Sequence, residues 1–175
     1  MVTFQRMVAV LAASLAVLVV GVPTAGADTL LRLNGIGPLT LGQERSAAVD
    51  TGWLSDPGKG CELASPVPTV YRLLGSRAPK GLRGSAEFND GKLTSISVSK
   101  GARTSTGVRV GKTTAAGMTR AYRKRGYKVR SESSETFGGT FVTVFNRAGD
   151  AVIGGFATGG MRLTTLAIPR IQTCE

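Results

Sequence analysis

Three short runs of residues in this chain could do chemistry, and each demands a particular geometry. Gly107-Val108-Arg109-Val110-Gly111-Lys112-Thr113 suggests a phosphate loop. The Walker pattern needs four residues between its glycines, and only three stand here. What remains is a turn and a helix N-cap, able at most to hold a lone anion beside Lys112 on free N–H groups. Ser97-Val98-Ser99-Lys100 spells S-x-x-K, the nucleophile motif of serine β-lactamases and penicillin-binding proteins. That motif needs a helix. The residues here alternate apolar and polar like a strand, where positions i and i+3 point to opposite faces. The partner motifs S-D-N and K-T-G are absent. Glu132 and Glu135 are the closest candidates for paired acid–base work, but they sit among Ser and Thr in an expected surface loop. The chain has no histidine, which excludes histidine triads, an imidazole base and histidine-ligated zinc. Its two cysteines cannot make a four-thiolate metal site. The expectation is a protein that is not an enzyme and holds neither cofactor nor metal.

Charge and the chain ends carry more information. The chain has 175 residues, with 22 Lys and Arg against 11 Asp and Glu, a formal net charge of +11. Residues 1–27 read as a secretory signal: Arg6 as the basic start, an apolar run without a charge from Val8 to Val20, broken only by Ser14, and Ala25-Gly26-Ala27 as a cleavage site. The run is short for a membrane span, which needs about 20 residues. Cleavage after Ala27 would leave residues 28–175 as a single exported domain with no span of its own, expected to be a monomer. In an oxidising compartment Cys61 and Cys174 have only each other. A bond between them would close most of the exported chain into one loop and stabilise it by roughly 4–5 kcal/mol. Two free thiols or a covalent dimer are the alternatives.

The positive charge gathers in two places, Arg120, Arg123, Lys124, Lys128 and Arg130, and Arg72, Arg77, Lys80 and Arg83. Such clusters either solvate a surface or attract polyanions through a field of several kT. Outside a cell the polyanion would be a wall polymer, an anionic headgroup or nucleic acid. Specific nucleic-acid reading is not expected, because exposed aromatics are not interleaved with the charges.

The elements that would position these residues form a faint repeat. Gly37-Pro38-Leu39-Thr40-Leu41-Gly42 precedes a helical pattern at Glu44–Thr51, and Gly107 to Gly111 precedes another at Thr113–Arg125. Leu39 matches Val108, Leu41 matches Val110 and Gly42 matches Gly111. In the second helix Ala115, Met118 and Tyr122 share one face, Arg120, Arg123 and Lys124 the other, and Gly126 is the stop. Gly117 inside it implies close packing against a sheet. Strands are expected at 85–88 and 94–99 around an Asp90-Gly91 hairpin turn, at 127–133 leading in, at 140–145 as a central strand, and at 151–158 and 161–168. The stretch 65–83 is expected to be mostly loop with a strand or short helix near Val70 to Leu74. The fold class is α+β: two tandem repeats, about 34–100 and 106–168, each a short helix plus antiparallel strands, with the helices on one face of the sheet.

A glycine-flanked strand, a short helix and a meander, twice in an exported chain, resembles the β-lactamase-inhibitor-protein-like fold. That fold is shared with small outer-membrane assembly lipoproteins of the SmpA/OmlA type. The resemblance rests on Gly37 to Gly52, Gly107 to Gly126 and the strand order after each. It implies a binding module. The sequence departs from the pattern in having one cysteine pair overall, few aromatics and no cysteine for acylation at residue 28, so no binding residue is carried over. The expected partner is another exported protein or, alternatively, an anionic cell-envelope polymer. An exposed Trp53 or Tyr on a sheet face would favour the protein partner.

Overall fold

Alternation of Ala, Phe, Ile and Val with Ser and Thr, broken at glycine turns, gives a chain dominated by short strands. The computed structural model describes residues 28–159 and 161–174, and the expected leader lies outside them. Strands β1 (Thr29–Arg32), β2 (Gly35–Ile36) and β3 (Leu39–Thr40) precede helix α1 (Arg45–Asp50). Strands β4 (Ser55–Lys59), β5 (Thr69–Arg72), β6 (Arg83–Asn89) and β7 (Lys92–Lys100) follow it. Strand β8 (Ala102–Thr104) leads to helix α2 (Ala115–Arg123), then β9 (Lys128–Ser134), β10 (Gly139–Phe145), β11 (Ala151–Thr158) and β12 (Leu163–Ile168).

The main sheet has eight antiparallel strands in the order β4-β5-β6-β7-β12-β11-β10-β9. It consists of two four-strand meanders joined through their last members, with Leu166 opposite Val98 and Ile168 opposite Ile96. A smaller sheet, β3-β2-β1-β8, sits beside it, and there β1 runs parallel to β8. That parallel pair corrects the expectation of antiparallel pairing throughout. The segments before the two helices meet in it.

The two halves are tied together in the same way locally. The Gly42 amide donates to the Leu93 carbonyl at 2.7 Å, and the Gly111 amide donates to the Leu163 carbonyl at 2.7 Å. Leu93 and Leu163 donate back to Gln43 and Thr113. Glu44 and Thr114, the residues just before each helix, bridge Lys92 and Arg162. Both glycines have φ near +80°, at 84° and 73°, where an L side chain is strained.

One apolar cluster contains residues of both meanders and both helices. Helix α2 packs on β9, β10 and β11, placing Ala115, Met118 and Tyr122 inward. The close approach lies on the sheet, not in the helix. A Cβ on Gly155 of β11 would stand 2.6 Å from the Met118 sulfur. A Cβ on Gly117 would instead meet Thr113 and Thr114, whose hydroxyl takes the Gly117 amide at 3.0 Å. Gly117 therefore serves the helix cap, which corrects the expectation that it packs on the sheet.

The helical share is smaller than the α+β expectation. The helices hold six and nine residues, because flanking residues on each side serve as caps and turns. Helix α1 buries only Ala48 and touches the sheet chiefly at β7. The molecule is mostly antiparallel sheet with two short helices. The Asp90-Gly91 hairpin forms as expected, with φ of 49° and 76°, the combination that matches strand twist. Strand β4 was not expected, because Asp56, Pro57 and Gly58 resemble a turn. Their place on the sheet edge tolerates the missing amide and weak propensity. Strand 140–145 lies second from the edge, not centrally, since β9 is the outermost strand.

Candidate functional site

Side chains alternate across the main sheet, so one face meets the helices and the other is left open. Ile96, Val98, Val142, Val144, Ile153 and Leu166 point to the helix side and are buried. The register then places the open-face residues. Phe141 stands opposite Phe156, and Phe156 opposite Thr165. Ala167 stands opposite Ser97, Ser97 opposite Ser85, and Glu87 opposite Ser95. These residues, with Phe137 and the C-terminal stretch from Ile171 to Cys174, line one groove of about 450 Å³.

The groove has two chemically different ends. At one end the Phe137 and Phe141 rings meet edge to face at 5.6 Å, and Phe141 and Phe156 lie tilted at 4.6 Å. Such pairs add to area burial and hold a rigid apolar platform. At the other end Ser85 and Ser97 share a hydrogen bond of 2.9 Å, and Ser95 is 4% exposed. Glu87 lies beside them. Burial holds its carboxyl above the usual carboxylate range. No ion-pair partner reaches Glu87 among the described residues. Arg72, on the same face beside Ser85, makes no contact with it within 4 Å.

The wall of the groove is the chain end. After β12 the chain crosses β11 at Gly154, where a Cβ would stand 2.6 Å from the Ile171 amide nitrogen. Gly154 therefore makes room for this strap. The strap ends at Cys174, which is disulfide-bonded to Cys61 with the Cα atoms 5.5 Å apart. Cys61 follows β4, so the bond ties the end of the second meander to the outer edge of the first.

The residues singled out from sequence fall elsewhere. Arg120 and Arg123 on α2 and Lys124 at its C-cap are exposed, and Arg123 donates to the Val129 carbonyl at 3.3 Å. Val129 packs on the helix-side core, so its neighbours Lys128 and Arg130 point to the opposite face. The five residues thus divide between two sides of the sheet edge. Arg130 pairs with Glu132 at 2.7 Å, and both are exposed. The second basic group lies around β5 and β6. Five strand spacings, roughly 24 Å, separate β6 from β9, so the two groups do not converge. Glu135 is exposed in the turn after β9. Ser97 and Lys100 sit on a strand, which keeps them apart. Thr114 occupies the Gly117 amide at the start of α2, leaving little of the anion site suggested beside Lys112. Trp53 packs against Gly37 and Tyr71 against Phe88, on the core side. Neither is an open-face anchor, and the phenylalanines take that place.

Sequence reasoning missed Glu87, Phe141 and Phe156. The signal for Glu87 was present: the Asp-Gly turn fixes the hairpin register, and the register sets Glu87 across from Ser95. Nothing local marked which face of β10 and β11 stays uncovered. Among the described residues no three acidic, cysteine or histidine side chains gather as a metal site, and no helix is long and apolar enough to cross a membrane. Compared with known proteins, the chain matches no family model, no curated protein and no solved structure.

Proposed function

We propose that this protein is an exported, non-enzymatic binding module that contacts another exported protein through the open face of its main sheet. The construction is two tandem repeats of the β-lactamase-inhibitor-like kind, each a short helix plus a four-strand meander. The matching ties of Gly42 to Leu93 and Gly111 to Leu163 support that reading. The observation that carries the function is the open face itself: three phenylalanines in ring contact and an unpaired carboxylate in one groove. Rigid aromatics in partly desolvated pockets are the residues that dominate protein interfaces. The polyanion alternative has weaker support, because the basic residues spread over separate surfaces.

Capture from envelope and culture-fluid fractions tests the reading. One protein should stay bound through a high-salt wash, since apolar contacts resist screening. The double variant Phe141→Ala with Phe156→Ala should lose it while the fold is kept. Recovery of anionic polymers alone, released by salt, would replace the protein partner with the polyanion.

A further inference from the structure

We propose that the groove recognises an extended peptide segment carrying a Lys or Arg about six residues from an aromatic or large apolar side chain, the cation set against Glu87 and the apolar group on Phe141 and Phe156. This rests on the open face being a binding surface and names what that surface selects.

Charge comes first. Among the described residues Glu87 is the only ionisable side chain that lines the groove, in a chain whose net charge is +11. An unpaired, partly buried carboxylate is unfavourable unless something compensates it. Folding supplies no base within reach, as Arg72 remains at the rim without an ion pair. A cation from outside would supply the missing partner, and Ser95 and Ser97 offer oxygens to its remaining donors.

Length decides the kind of ligand. Three strand spacings, roughly 14 Å, separate Glu87 on β6 from Phe156 on β11, and the register offsets Phe156 along the strands by about four residues, so about 20 Å lies between them. A small aromatic amine cannot touch both ends. An extended chain rises about 3.4 Å per residue, so residues i and i+6 span that gap and point the same way. The phenylalanine platform is the larger apolar surface and takes the i+6 side chain.

The test is titration of the purified protein with the capped heptapeptide acetyl-Lys-Ser-Thr-Ser-Thr-Ser-Phe-amide, followed by amide NMR shifts. The comparison peptides replace Lys by Glu or shorten the spacing to Lys-Phe. The lysine heptapeptide should shift the amides of Ser95, Ser97 and Phe156 and bind about tenfold more tightly than either comparison. Glu87→Gln should bring the Lys and Glu peptides to the same affinity and leave the spectrum otherwise native. Equal binding of the Lys and Glu peptides to the native protein would overturn the proposal. So would an absence of shifts up to about 10 mM peptide. Phenethylammonium binding as tightly as the heptapeptide would also overturn it, by assigning the groove to a small free amine. A captured partner that needs Phe141 and Phe156 but ignores Glu87→Gln would sink the cation while leaving the binding face intact. A lysine-selective groove without any captured protein would do the reverse.

Discussion

Burial of Glu87 carries a cost, and its sign follows from the raised pKa of its carboxyl. Burial favours the neutral carboxylic acid, so the folded state holds the proton more tightly than the unfolded chain does. The fold is therefore least penalised below the ordinary carboxylate pKa. It loses stability as pH rises through the raised one. Glu87→Gln should raise the unfolding midpoint at pH 7, and the gain should fade below about pH 4. Thermal unfolding of both proteins across that range decides it. A glutamine variant that is less stable at pH 7 would mean that Glu87 makes a favourable contact in the fold. Residues kept at a cost to stability are typical of binding sites. Tyr122 differs, since its hydroxyl is buried beside the Thr104 and Thr106 side chains and sits deep in the core.

At the scale of elements, α2 against β11 is the contact that shapes the second half. Thr114 starts the helix, and Gly155 lets Met118 reach the sheet surface. Gly155→Ala should cost about 1–3 kcal/mol through overpacking, and Met118→Ala about 2–5 kcal/mol through a cavity. Together they should cost less than the sum, because the new methyl enters the space that the sulfur leaves. A double-mutant cycle by urea unfolding measures the coupling. Strict additivity would show that the two positions are not in packing contact. Helix α1 has no comparable partner, as it buries Ala48 alone and depends on its hydrogen bonds to the β6–β7 turn.

At the scale of the molecule, the disulfide joins residues 113 apart and draws the chain end across the open face. Closing a loop of that length stabilises the fold by about 4–5 kcal/mol in the chain-entropy account. Cys61→Ala with Cys174→Ala should lower the unfolding free energy by up to that amount while the strand content is kept. It should also free the strap and remove one wall of the groove. Unchanged stability in denaturant titration would mean that the unfolded chain gains nothing from opening the loop. The sheet itself does not need the bond, since both meanders share one core through β7 and β12.

Local chemistry alone determined much of this protein. The expected Cys61–Cys174 pair followed only from there being two cysteines, while the Asp90-Gly91 turn, the cap of α2 and the last strands follow from residue types and short spacings. So does the likeness between Gly42 and Gly111, because a positive φ is a local demand. Tertiary structure decided the rest. The parallel β1–β8 pair, the edge position of β4, the two-sided split of the basic cluster and the open face all depend on which strand lies beside which. Alternation marks two faces on every strand but not which one the helices will cover. Phe141 and Phe156 thus read as core in sequence, and became a surface only when α2 settled on the other side.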